Sequence, residues 1–193
     1  MVNYYPQYLY ITYLLAGTGA RIGEVCALRL LDFAEDKWLV QEVGKYKTKE
    51  TTKTGESGER IIGLDNFTVK KLKEWLHIRN TWIVGIKERP DFLFINPIGE
   101  FIKMPNYAGV LKTLCSRNKI THTTPHMFRH THETIMWEAG ISDLNYIGGR
   151  LGDVDKTILL EIYSHMSNRS AQLNNEKINE FMKNWSRKLE GIN

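Results

Sequence analysis

The stretch Thr121–Glu133, THTTPHMFRHTHE, constrains the fold more than any other, because its punctuation leaves the backbone little choice. It gathers four of the chain's six histidines around Arg129. Thr124 suits an N-cap and Pro125 the first helical position, where a missing N–H costs nothing. Phe128, Ile135 and Ala139 recur at near-helical spacing, and Gly140 suits a left-handed stop. The pattern predicts a helix with His126 and Arg129 three apart in its first turn, hence on one face. Backbone N–H groups and the positive end of the helix dipole favour an anion there, so imidazole and guanidinium at that place suggest a phosphate site.

Two plainer uses compete. His122, His126 and His130 are spaced by four, as metal ligands on a helix can be, but the HExxH signature fails because Met136 stands where its second histidine belongs, and no Cys pair is near. A solvated polar face is the commoner fate of an arbitrary histidine. The remainder of the chain must decide.

At 193 residues, 42% hydrophobic and 25% charged, the chain suits one globular domain with a real core. The net charge of +4 leans towards an acidic partner without specifying one. Cys26 and Cys115 fall in apolar helical patterns, as expected of buried reduced thiols in a cytoplasmic protein. No apolar run has membrane-spanning length, and no signal-peptide pattern opens the chain, so a membrane partner is not expected.

In chain order, Pro6 opens a first helix with Leu9, Tyr13 and Ala16 on one side and Gly17 at its end. Thr18 then caps a second helix in TGARIGEVCAL, where Ile22, Val25, Cys26 and Leu28 face inward and Arg21 pairs with Glu24. That pair is either a surface ion pair of little worth or an arginine held in one pose by a supporting carboxylate. Trp38 to Val43 and Arg60 to Leu64 read as two strands of a long hairpin whose polar tip carries Lys45, Lys47, Lys49 and Lys53. Such lysines offer contacts to a phosphate backbone, although charge runs are often merely solvated. Asp65 caps a long helix with a Val69, Leu72, Leu76 stripe, FLFINPIGEFI reads as two short strands, and Pro105 opens a helix with Tyr107, Val110, Leu111 and Leu114 inward. After the histidine helix, Ser142 or Asp143 starts a short helix that Gly148 and Gly149 stop. Asp155 caps KTILLEIYSH, whose end exposes Tyr163, and residues 172–189 form a charged segment with an apolar stripe. The expected class is α+β, mainly α-helical with a small antiparallel β-sheet.

Five pieces thus stand in order: TGARIGE with Arg21, the hairpin with Lys53, PHMFRH with His126 and Arg129, RLGDVDKTI with Asp153, and EIYSH with Tyr163. This series resembles the catalytic domain of tyrosine recombinases, the phage and transposon integrase family, over nearly the whole chain. ETTKTGESGERI in particular is similar to the hairpin of integrases from phages and conjugative transposons of Gram-positive bacteria.

The residue types suit phosphodiester transfer. A phenol of pKa about 10 is ionised to only about one part in a thousand at neutral pH, so Tyr163 needs help as a nucleophile, and His126 is the candidate proton acceptor. Arg21 and Arg129 can each make two parallel hydrogen bonds to the charged oxygens of the transition state. The resemblance implies that a hairpin lysine protonates the leaving 5′-oxygen; Lys53 matches by its place, with Lys49 in reserve. It implies a 3′-phosphotyrosyl intermediate at double-stranded DNA attachment sites, with no metal or other cofactor. It implies a homo-tetramer on DNA formed from a chain that is a monomer alone, accessory DNA-bending proteins, and a C-terminal segment, here 172–189, packing in cis or passing between neighbours.

Two departures stand out. Asp153 occupies the place where the family most often has His or Trp, although its spacing to Tyr163 is kept. An ionised carboxylate there would repel phosphate, so Asp153 is protonated or turned away, orients an arginine, or weakens the enzyme; the second reading is preferred. The family's core-binding and arm-binding domains are also expected to be absent from residues 1–193, which read as the catalytic domain alone. Against a recombinase stand a type IB topoisomerase, which rejoins the same strand, and a non-enzymatic DNA-binding relic of a recombinase.

Overall fold

The computed structural model describes residues 5–34, 37–39, 42–44, 47–49, 60–121 and 123–152, with the backbone alone for 34, 37–39, 42–44 and 47–49. The described chain is mostly helical with little strand. Helices α1 (Pro6–Thr18) and α2 (Ile22–Ala27) come first, then a 3-10 turn (Leu30–Asp32). Five short strands follow: β1 (Phe33–Ala34), β2 (Lys37–Leu39), β3 (Glu42–Gly44), β4 (Lys47–Lys49) and β5 (Ile61–Gly63). Helices α3 (Asn66–Trp82), α4 (Met104–Arg117), α5 (Pro125–Glu138) and α6 (Leu144–Leu151) complete the described elements. β2 pairs antiparallel with β1 and with β5, Trp38 lying opposite Ile62, while β3 and β4 pair separately, Val43 opposite Thr48. The expected continuous strand from Trp38 to Val43 is therefore divided between two ladders. FLFINPIGEFI makes two isolated bridges, Arg29 to Phe92 and Ile95 to Phe101, rather than a ladder.

α1 packs against α2, α3 and α5, and its buried side runs through Gln7, Ile11, Leu14, Leu15 and Thr18. The expected face is wrong by part of a turn, since Ala16 is exposed. α1 also outlasts Gly17. The close approach of Thr68 on α3 leaves no room for a Cβ at Gly17, and the left-handed stop is Gly19, at φ +66°. α2 consequently starts later than expected, with Arg21 rather than Thr18 at its N-cap. Asp65 caps α3 as expected, accepting from Thr68 N at 3.0 Å. The core centres on Trp75, fully buried, stacked on Phe94 with centroids 5.7 Å apart and donating from its indole N–H to Leu93 O at 2.8 Å. Leu72, Leu28, Ile62, Leu93 and Tyr107 close around it, and both cysteines are buried. α6 starts at Asp143, whose carboxylate accepts from Asn145 N and Tyr146 N, but it runs through Gly148 and Gly149 and stops only at Gly152, φ +72°. Interior glycines weaken a helix without ending it unless the backbone turns left-handed.

Candidate active site

α5 begins and ends as its punctuation dictates: Thr124 is its N-cap, Pro125 opens it, and Gly140 turns left-handed at φ +83°. Its buried face is nevertheless polar. Arg129, His132, Glu133 and Met136, at i, i+3, i+4 and i+7, point inward, whereas Ile135 is 51% exposed and Phe128 only partly buried. Apolar periodicity alone misplaces this face, because three of its four inward residues are ionisable types, and two of these, Arg129 and His132, find partners elsewhere in the chain.

Those partners are specific. Arg129, 2% exposed, donates from Nη1 to Gly19 O at 3.0 Å and Leu151 O at 2.9 Å, and its Nε lies 3.7 Å from Glu133 Oε1. Glu133 also meets His130 Nδ1 through Oε2 at 3.1 Å, and the His130 ring stands edge-on to His126 with centroids 4.4 Å apart. His132 makes a separate bridge. An arginine Nε–H can only donate, so the 3.3 Å contact from Arg150 Nε leaves His132 Nε2 as acceptor and puts its proton on Nδ1, which donates to Ala16 O at 3.0 Å. Burial, aided by the Arg150 and Arg129 charges, holds His132 below the ordinary imidazole value of 6.5 against the raising effect of the Ala16 bond.

Arg21 precedes α2 with an extended backbone. Its N–H donates to Glu24 Oε2 at 2.8 Å, the reach-back bond of a capping box, and its Nη1 donates to Glu24 Oε1 at 3.2 Å. Glu24, 1% exposed in its side chain, also accepts from Arg60 Nη1 at 3.1 Å and Nη2 at 3.0 Å. Arg21 Nη2 reaches Gly152 O at 3.4 Å. Of the two readings of the Arg21–Glu24 pair, a solvated surface pair does not describe a carboxylate buried under two guanidinium groups.

Arg21, His126 and Arg129 converge. With Ala20, Ile22, Gly23, Met104 and Pro125 they line a pocket of ≈ 240 Å³. His126 is exposed, the Arg21 side chain is 26% exposed, and Arg129 forms the floor. The first turn of α5 opens onto the pocket, so helix dipole and cationic side chains act in the same sense on an anion held there. Of the other expected site residues, Lys47 and Lys49 fall in β4, described by backbone alone, and Lys45, Lys53, Asp153 and Tyr163 lie outside the described residues, as do His122 and 172–189. Sequence reasoning missed Arg60, Glu133 and Arg150. The i,i+4 spacing of Arg129 and Glu133 was a usable signal; nothing local marks Arg60, which becomes significant only through contacts distant in sequence.

The sequence matches the phage integrase family over residues 3–170. The chain belongs to that family. Among curated relatives, a transposase from transposon Tn916 of Enterococcus faecalis is 31% identical over 185 residues, covering 86% of this chain and 44% of the relative. The tyrosine recombinase XerC of Corynebacterium glutamicum is 28% identical over 156 residues, covering 81% of this chain and 46% of XerC. This integrase-family chain thus spans about half the length of the curated relatives it matches. Its fold is similar to that of the Tn1549 transposon integrase solved in complex with transposon right end DNA, with a TM-score of 0.75 and 22% identity over 92% of this chain and 60% of the other. It is also similar to the lambda integrase catalytic core, with a TM-score of 0.58 and 16% identity over 77% of this chain and 84% of that core. The fold is that of tyrosine recombinase catalytic domains. Among the described residues no helix is long and apolar enough to cross a membrane.

Proposed function

We propose that this chain carries the catalytic region of a site-specific DNA recombinase, which cuts and rejoins double-stranded DNA through a 3′-phosphotyrosyl link to integrate or excise a mobile element in a bacterial cell. What supports this reading most is the single pocket that gathers Arg21, His126 and Arg129 from two distant stretches of an integrase-family sequence. In it, Arg21 and Arg129 neutralise the oxygens of the scissile phosphate, and Glu24 holds Arg21 in place. Tyr163 attacks phosphorus, the bond to the 5′-oxygen breaks, His126 takes the phenolic proton, and Lys53, or Lys49 in its stead, protonates the departing oxygen. Asp153 orients an arginine rather than touching phosphate. Lys45, Lys47 and Lys49 contact the DNA backbone. Four protomers act on two duplexes, with residues 172–189 packing between neighbours.

The test is covalent capture. Purified chain is incubated with a randomised library of nicked duplexes, and adducts that survive denaturant are collected. The wild-type chain is expected to yield a protein–DNA adduct linked through tyrosine, and Tyr163→Phe none; an adduct of undiminished yield from the Phe variant would remove Tyr163 as nucleophile. Relaxation of supercoiled plasmid without any recombinant product would move the assignment to a topoisomerase.

A further inference from the structure

Three consecutive carbonyls at the end of α6 each receive a different arginine. Arg150 O accepts from Arg60 Nε at 2.7 Å, Leu151 O from Arg129 Nη1 at 2.9 Å, and Gly152 O from Arg21 Nη2 at 3.4 Å. The last carbonyls of a helix lack partners within it and carry the negative end of its dipole, so three cations there answer both needs. Two of these arginines line the pocket; Arg60 does not. Its side chain is 8% exposed, which is too little for a backbone phosphate to reach it. It instead joins the two supports of the pocket arginines, holding Glu24 with a two-pronged grip, while Glu24 in turn holds Arg21, and tying down the turn of α6 whose next carbonyl holds Arg129. Arg60 packs directly against the Cα of Gly152, which has no room for a Cβ on that side.

We infer that Arg60 is a positioning residue for the phosphate site, fixing the spacing of Arg21 and Arg129 by bridging Glu24 to the Arg150 carbonyl at the end of α6. This rests on the recombinase reading for its functional consequence, but not for its geometry. The fork matters more than the charge. A lysine can present a point charge to Glu24 but cannot grip both of its oxygens while also donating to Arg150 O. Misplacement of a catalytic group by about 1 Å costs on the order of 10²-fold in rate.

The experiment has two arms, applied to Arg60→Lys and Arg60→Ala after each variant is shown by circular dichroism to retain its helical content. In the first arm, the Nε–Hε resonances of Arg21 and Arg129 are followed by NMR in the chain without DNA. Both are expected to shift or broaden in Arg60→Lys, and resonances unchanged from wild type in both variants would overturn the positioning role whether or not the chain is an enzyme. In the second arm, single-turnover adduct formation is compared with DNA affinity. Arg60→Ala is expected to slow adduct formation by about 10²-fold while affinity stays within about threefold, which is under 1 kcal/mol, and added guanidinium ion is expected to recover part of the rate where lysine does not. A rate loss matched by an equal loss of affinity would make Arg60 a DNA contact and overturn the inference. Absence of any adduct from wild type would count against the recombinase reading alone, and the first arm would then decide the role of Arg60.

Discussion

Replacing Glu24 by glutamine exchanges one oxygen for an NH₂ group and tests the whole support of the pocket. Each carboxylate oxygen has two donors: Oε1 accepts from Arg21 Nη1 and Arg60 Nη1, and Oε2 from Arg21 N and Arg60 Nη2. Whichever way the new amide turns, its NH₂ meets two donors and both bonds are lost. The Arg60 side is buried, at 8% and 1% side-chain exposure, and breaking a buried pair by removing one partner costs about 3–5 kcal/mol. The Arg21 side chain is 26% exposed, so that arm adds at most about 1 kcal/mol. Because the surviving oxygen keeps its two donors, the expected loss is at the low end, about 3 kcal/mol. With a urea dependence of about 2 kcal/mol per molar, this lowers the unfolding midpoint by about 1.5 M. Equilibrium urea denaturation followed by tryptophan fluorescence measures it. A midpoint lowered by less than about 0.5 M, or about 1 kcal/mol, would refute the claim that Glu24 is a buried structural anion.

Three further outcomes follow from the same geometry. His126 is exposed at the pocket mouth, so His126→Ala should slow adduct formation by about 10²- to 10⁴-fold while changing stability by no more than about 0.5 kcal/mol. Gly152→Ala should destabilise by more than the roughly 1–2 kcal/mol of a left-handed L-residue, since its methyl group would also displace Arg60; thermal melts check it. His132 is held neutral, its folded value lying below 6.5. The stability it contributes is complete above that pH and is lost as pH falls through the folded value. The melting temperature should therefore drop more steeply between pH 7 and 5 in wild type than in His132→Gln, and parallel curves would contradict the assignment.

Where local chemistry settles an element, the sequence was a sound guide. Thr124, Pro125 and Gly140 bracket α5, Asp65 caps α3, and Asp143 starts α6, because caps act within four residues of themselves. Faces were less legible. The inward side of α5 carries Arg129 and His132, whose burial depends on carbonyls of Gly19, Leu151 and Ala16 that no window around the helix contains, and Glu133, which pairs with Arg129. The stop at Gly17 failed because a glycine can be present for a close approach, as Thr68 makes to Gly17, rather than for a left-handed turn, and the stop at Gly148–Gly149 failed because the left-handed residue is Gly152. In the site, Arg21, His126 and Arg129 were legible because each sits in a recognisable motif, and the pocket brings those three together. Arg60 was not, since an arginine opening a strand looks the same whether it ends in solvent or beneath Glu24.

What the three arginines take from the end of α6 is main-chain oxygens, not side chains of that helix. Every amino acid supplies that oxygen, so substitutions at Arg150 or Leu151 leave the acceptor atoms in place so long as the backbone keeps its path. The burden of keeping that path falls on Gly152, the left-handed residue that ends the helix. Variation in the chain and retention of the anion-binding frame are thereby separated: the seat can be inherited intact through many sequences, and a change at one glycine can unseat all three guanidinium groups together.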